Sequence, residues 1–500
     1  MREEVSVRLT PQQSPPNRIL EVIPAARIER RDDGAIRVEL AKMFNGHLDL
    51  RLQGRPGAEV VVDVSDRPEV DQVYNQQHRF VVGPAGHARF RNRFNYTTGQ
   101  WLTIRGEVEV PRPEDVRGLL IATDLGPPAR FECDLPHVEQ LYETALHTLR
   151  CLSLGGYVVD CSHRERLGYG GDGQGALQLL LPTLDGRALL AKWLEDWVDV
   201  QQPDGNLPFT APTYGGGGGP MWSGFIVHGA AEMHERHGDL APAAHAYPAI
   251  ARWLEFLQTH VRDGLLQRHA GPADFISARW SFLGDWVAPG RQQGPNGDDP
   301  ETHFLNNAYY VWTLNRAGNL AAALGHDDDA ERWRQEARDV ARATHDAYWR
   351  PEEQTYSDGR QPSLALALVA QLPPPALRDV VVKRLVEQIT DACGGHLDTG
   401  ISGTQFLLRA LQQIERADLG LLMIGQRDQP GWRYMLDQNA TALWEQWDGG
   451  HSRCHASFLG VGGWVIESLV GGQGGRPTAS DGGDSCWTIV PSFAEGADFA

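Results

Sequence analysis

A mainly α-helical chain with an antiparallel β-sandwich at its N-terminal end is the fold class this sequence predicts, and three observations carry it. Apolar residues alternate with period two up to about residue 125. From about residue 126 to 470 they recur every three or four positions, the period of helices with one buried face. That helical stretch has no exact repeat, and Gly- and Pro-rich loops of uneven length join its segments. A solenoid advertises a fixed period, so about a dozen paired helices without one fit a closed ring better than an open superhelix.

The elements follow in order. In HLDLRL, Leu48, Leu50 and Leu52 share one face; GRPG at 54–57 turns the chain; VVVDV returns with Val60, Val62 and Val64, which predicts a β-hairpin. RFRNRFNY and WLTIRGEVEV continue the alternation. Beyond GPPARFECDLP, helical stripes take over: Leu190, Trp193, Leu194 and Trp197; Trp333, Ala337, Val340, Ala341 and Thr344; Leu377, Val381, Leu385 and Ile389. GGQGGRPTASDGGD reads as a linker and SCWTIVPSF as one strand. The predicted domains are 1–125, the sandwich; 126–470, the helical ring; and 471–500, the linker with its strand.

Composition narrows the function. The chain has 500 residues, with 65 acidic and 46 basic side chains and a net charge of −19. Such a surface repels nucleic acid and anionic membrane, whereas a neutral ligand is indifferent to it. No run of about 18 apolar residues occurs, and MREEVSVRLTPQQSPP has no apolar leader, so a cytoplasmic location is expected. Cysteines 133, 151, 161, 393, 454 and 486 show no pairing rhythm and read as free thiols.

Two clusters could carry chemistry. DCSHRERLGYGGDG, residues 160–173, sets five charged side chains among glycines. Glycines 168, 170, 171 and 173 predict a loop entering a helix that begins near Gln174. Asp160, Glu165 and Asp172 repel one another unless a ligand between them uses them; without one, the stretch is a solvated turn whose Arg–Glu pairs are worth little. In TALWEQWDGGHSRCH, Glu445 lies between Trp444 and Trp447. An aromatic-walled pocket would raise that carboxyl's pKa and stack on sugar rings. Trp222 in GPMWSG and Trp286 in FLGDWVAPG lie in loops, where ligand and core roles are equally open. Two carboxylates from distant parts of the chain, with tryptophans nearby, are the equipment of a glycoside hydrolase.

No metal or cofactor is expected. His451, Cys454 and His455, and Cys161 with His163, have ligand identities without zinc spacing. Asp298 and Asp299 read as a solvated acidic loop rather than a calcium site. GGGGGP at 215–220 lacks the Lys-Ser/Thr of a phosphate cradle.

DCSHRERLGYGGD also resembles the D-C-P-x-R-E-R-x-G-W-x-G-D signature of α-L-rhamnosidases of glycoside hydrolase family 78. MWSGFIVHGAAEMHERHGD, FLGDW, GGHLDTGISGTQFLLRAL, GWRYMLDQNATALWEQWDG and HASFLGVGGWVIESLVG resemble further family segments, in the family's order, from about residue 130 to 470. The resemblance implies a six-hairpin (α/α)6 barrel preceded by a β-sandwich, acting on a rhamnose-containing glycoside or oligosaccharide with inversion. It implies Glu165 as general acid and Glu445 as general base, their carboxyls about 6.5–9.5 Å apart. It assigns Asp160, Arg164, Tyr169, Asp172, Trp222, Asp285, Trp286, Trp444 and His455 to the sugar site. Arg164 too close to Glu165 would hold the acid ionised, so Arg164 is expected to pair mainly with another carboxylate. Tyr169 stands where the family usually has Trp, Ser162 and His163 replace Pro and Gln, and Cys454 replaces Asn of S-x-N-H. Competing readings are a barrel enzyme on rhamnosyl-uronic acid oligosaccharides, whether hydrolase or lyase, and a barrel that only binds oligosaccharide.

Overall fold

The computed structural model describes residues 11–213, 219–269, 281–291, 299–474 and 487–489. Seven strands form the N-terminal domain: β1 (Asn17–Arg30), β2 (Ile36–Gln53), β3 (Glu59–Ser65), β4 (Gln77–Val81), β5 (His87–Arg91), β6 (Thr97–Arg105) and β7 (Val116–Thr123). All pairings are antiparallel, and β2 links the halves: its first part pairs with β1 and β6, its second with β7 and β5. The register shifts between Glu39 and Phe44, where an irregularity lets one long strand serve both layers of a sandwich-like sheet.

The alternating leucines and valines are buried as predicted, but β2 and β3 are not a hairpin. β6 lies between them. Period-two alternation fixes which face of a strand meets the core, not which strand is its neighbour. The turn at 54–57 is therefore a corner between the two halves of the sheet.

Among the described residues that follow, helices predominate. Six form an inner ring: α2 (Gly170–Thr183), α5 (Phe225–His237), α7 (Pro300–Leu324), α9 (Gln361–Val369), α11 (Ile401–Gln413) and α14 (Gly460–Trp464). Six more lie outside them: α1 (Pro136–Leu152), α3 (Arg187–Asp199), α6 (Ala241–Gln258), α8 (Asp327–Tyr348), α10 (Arg378–Glu387) and α12 (Ala417–Ile424). Two short helices, α4 (Pro220–Ser223) and α13 (Trp432–Asp437), complete the domain. Burial separates the layers: α2 and α9 are buried at every position, whereas α8 buries only a stripe through Trp333, Ala337, Val340 and Thr344. Each inner helix touches the next, and α14 returns to α2, where a Cβ on Gly462 would lie 2.8 Å from Leu179. The ring is thus the six-hairpin barrel.

Near the C-terminal end, Trp487–Ile489 pairs antiparallel with Gly472–Gly474. The rest of that tail, with Cys486, lies outside the described residues, as do Asp298 and most of GGGGGP. Among the described residues no helix is long and apolar enough to cross a membrane.

Candidate active site

The first turns of inner helices converge on one mouth of the ring, against the sheet domain. α2 begins at Gly170, not near Gln174. Its glycines permit close approach: a Cβ on Gly171 would lie 2.6 Å from the Trp222 ring, and one on Gly173 2.7 Å from Phe225 and Trp193. Each glycine costs a helix about 1 kcal/mol, which contact with three large rings offsets. Asp172 consequently stands in the first turn of α2, and Trp222 on α4 packs beside it.

The segment before α2 divides its side chains between two tasks. Ser162, His163 and Arg166 face the sheet domain: Thr98 Oγ1 bonds Ser162 Oγ at 2.9 Å, His163 Nε2 bonds Asp66 at 3.0 Å, and Arg166 donates to Asn95 and to the Tyr96 carbonyl. Asp160, Arg164 and Glu165 face the barrel mouth. Arg164 Nη2 donates to Glu445 Oε2 at 2.9 Å and lies 3.4 Å from Glu165 Oε1. Its closer partner is Glu445, as expected. Sharing one nitrogen, those two carboxylate oxygens are at most about 6.3 Å apart, short of the ~6.5–9.5 Å expected of an inverting pair.

Environment separates the carboxyls. Burial alone would push the Glu445 carboxyl up, but His455 when protonated, the Arg164 guanidinium and the Ser452 N–H, 3.2 Å from Oε2, together hold it below the usual range. Glu445 is therefore buried and ionised. Asp160 is pushed up to about 8, by burial first and then by the charge of Glu165. Its oxygens accept from the Leu167 N–H at 2.9 Å and the Cys161 thiol at 3.0 Å. Burial, then the charges of Asp160 and Glu445, raise Asp172 well above the carboxylate range, and its Oδ1 makes no hydrogen bond. At neutral pH Asp160 keeps a proton and can donate to a hydroxyl, and the same environment favours the protonated form of Asp172. Glu165, by contrast, is exposed at the mouth.

His455 completes the cluster. Its Nδ1 accepts from the Ser457 N–H at 3.2 Å, which leaves the proton on Nε2, 3.7 Å from Glu445 Oε2. Burial lowers its pKa to about 4, so it is neutral at neutral pH. Tyr169 keeps its proton because burial and the neighbouring Glu165, Asp160 and Asp172 raise its pKa.

The aromatic residues divide differently from the expectation. Glu445 is not walled by Trp444 and Trp447, and its pKa falls rather than rises. Trp444 lies under Arg453 and edge-on to Tyr434, facing the cleft between the domains. Trp447 is buried against Phe458 and donates its indole N–H to the Thr399 carbonyl. Extended chain sends neighbouring side chains to opposite faces, so flanking in sequence is not flanking in space. Both Asp285 oxygens accept from backbone, the N–H groups of Gly400 and Gly403 at 2.6 and 2.7 Å, which makes it a cap on α11. Trp286 beside it is half-buried, its carbonyl accepting from Ile401 N–H.

Sequence reading missed Asp66, Arg67 and Tyr74 of the sheet domain and gave His451 no role in the site. Tyr74 lies edge-on to His163 and 5.8 Å from the Arg164 guanidinium, in left-handed backbone. Arg67 donates to the His451 carbonyl, and the His451 ring meets Arg164 Nη1 at 3.2 Å. Asp160, Cys161 and His455 bring three metal-type donors within 4.8 Å of one another. The Cys161 thiol is pushed up by burial and spends its hydrogen on Asp160, which suits a hydrogen-bonded cluster, not a thiolate ligand.

A helical ring that gathers four carboxyls, those of Asp160, Glu165, Asp172 and Glu445, at its mouth defines the class of six-hairpin glycosidase-like domains. Within that class, the chain belongs to the family described as bacterial alpha-L-rhamnosidase 6 hairpin glycosidase domain, which matches residues 128–469. It is 26% identical over 494 residues to an alpha-L-rhamnosidase of Streptomyces avermitilis, covering 95% of this chain and 46% of that protein. An alpha-L-rhamnosidase of Alteromonas sp. is 22% identical, over 93% of this chain and 52% of its own length. The chain thus spans about half the length of the curated relatives it matches. A solved Streptomyces avermitilis alpha-L-rhamnosidase, complexed with L-rhamnose, superposes with a TM-score of 0.83 at 26% identity over 93% of this chain and 45% of that one. An alpha-L-rhamnosidase structure from Dictyoglumus thermophilum shares the fold, with a TM-score of 0.84 at 22% identity over 92% and 52% of the two chains.

Proposed function

We propose that this chain hydrolyses terminal α-L-rhamnosides with inversion, Glu165 acting as general acid and Glu445 as general base. The observation that carries the reading is the asymmetry of the pair. Glu445 is buried and held ionised by Arg164, while Glu165 stands at the open side of the mouth, where a leaving group would exit. Glu165 gives its proton to the glycosidic oxygen as the C–O bond breaks. Glu445 takes a proton from a water that attacks the anomeric carbon on the opposite face. Protonated Asp160, Asp172 and Tyr169 supply donors for the sugar hydroxyls, and Trp222 an apolar wall.

Neutral rhamnosides fit this site better than rhamnosyl-uronic acids, because the mouth already concentrates carboxyls. The test is release of p-nitrophenol from p-nitrophenyl α-L-rhamnoside by the wild type, Glu165→Gln and Glu445→Gln. Turnover is expected to fall by a factor of ~10² or more in each variant. A chain that binds rhamnose equally well in all three forms and releases no product would be a binding module instead.

A further inference from the structure

One carboxylate of the sheet domain touches both of the segments that carry Glu165 and Glu445. Asp66 follows β3, and its side chain is fully buried. Its Oδ2 accepts from His163 Nε2 at 3.0 Å, two residues before Glu165, and from the Arg453 N–H at 2.8 Å. Arg453 directly follows Ser452, whose N–H bonds the Glu445 carboxylate and whose carbonyl accepts from the Glu445 N–H at 2.8 Å. The remaining oxygen, Oδ1, accepts from Arg67 Nε at 2.8 Å, and Arg67 reaches on to the His451 carbonyl. His451 in turn meets Arg164, the guanidinium that lies between the two glutamates.

We propose that Asp66 is a positioning residue: a single oxygen pins the acid-bearing and base-bearing segments to each other and so sets the span between Glu165 and Glu445. The inference rests on the catalytic roles proposed above. Its physical basis is that the two segments are separated by about 280 residues of barrel; they meet directly where the Ala456 N–H donates to the Asp160 carbonyl at 3.0 Å, and on either side of that contact charge links them, Arg164 from within the mouth and Asp66 from behind it. A carboxylate can accept from three donors at once. An asparagine that puts its one oxygen in the place of Oδ2 would keep both bridging bonds and turn its NH2 group only on Arg67, whereas an alanine removes every acceptor. The segments would then separate by a fraction of an ångström to an ångström, the scale on which rate is lost without loss of binding.

The experiment measures kcat, KM, the pH profile and the thermal midpoint for Asp66→Ala, His163→Ala and His163→Gln. Asp66→Ala is expected to lower kcat by ~10–100-fold with KM within about twofold, and to displace the acidic limb of the profile, since Arg164 no longer sits as tightly on Glu445. His163→Ala should follow it. His163→Gln, whose amide N–H can still donate to Asp66, should recover most of the rate. Thr441→Val is the control: it removes the bond from the Met43 N–H and that to Gln100 across the same domain interface, and should lower the midpoint while leaving kcat unchanged. Wild-type kcat and profile in Asp66→Ala, with Glu165→Gln and Glu445→Gln inactive, would overturn this inference alone. Activity surviving in Glu445→Gln would overturn the functional reading beneath it.

Discussion

Replacing Asp160 with asparagine should make the protein more stable as the pH rises while abolishing turnover. The ordinary carboxyl pKa of 3.8 climbs to about 8 in the folded chain, by burial first and then the charge of Glu165. Between those values the unfolded chain has lost the proton and the folded chain keeps it, so folding takes up a proton and stability falls with rising pH. At pH 7 the gap is about three units, or about 4 kcal/mol at 1.4 kcal/mol per unit; titration shared with a neighbouring group brings the part due to Asp160 nearer about 2–4 kcal/mol. Asparagine keeps an oxygen for the Leu167 N–H, loses the acceptor for the Cys161 thiol, and does not titrate. The assay is denaturant unfolding of both proteins at pH 5 and pH 8. The difference in free energy should shift toward the variant between the two, and level off above about pH 8. A difference that is the same at both pH values would refute a protonated, buried Asp160.

Two other outcomes are expected. Arg164→Met removes the guanidinium that opposes burial at Glu445, so the base should protonate at higher pH; the acidic limb of kcat/KM should move upward, and an unmoved limb would remove Arg164 from that role. Far from the catalytic mouth, Glu232 of α5 is buried among Arg236, Arg316 of α7 and Arg409 of α11, at 2.7, 3.2 and 2.9 Å. Glu232→Gln strands buried positive charge and should cost about 3–5 kcal/mol in unfolding measurements, with kcat per folded molecule unchanged.

Much of this was legible in the chain because it is encoded by short-range periodicity. The shift from alternation to helical stripes corresponds to the change from strands to helices, and Trp193, Trp197 and Trp333 are core residues as their spacing implies. Asp160, Glu165 and Asp172 were visible as carboxyls whose repulsion requires explanation and Glu445 as a carboxyl between two tryptophans, and the structure gathers them with Arg164 and His455. What local sequence could not convey is which elements meet. The leucine and valine strands were read as a hairpin because their neighbour, β6, arrives some thirty residues later. Glycines 170, 171 and 173 were read as helix-breaking, whereas they make room for Trp222, Phe225 and Trp193, none of them adjacent in sequence. Asp285 has the look of a ligand residue until Gly400 and Gly403 arrive to occupy both its oxygens. Asp66, Arg67 and Tyr74 carry no local signature, since their part depends wholly on the sheet domain docking at the barrel mouth.

The central claim, that Glu165 and Glu445 act as an inverting pair, is tested most directly by proton NMR of the sugar released from p-nitrophenyl α-L-rhamnoside, followed from the first minutes. The account predicts that β-L-rhamnose appears first and then mutarotates, and that Glu165→Gln and Glu445→Gln suppress it. Early α-L-rhamnose, or undiminished release by either variant, would contradict it.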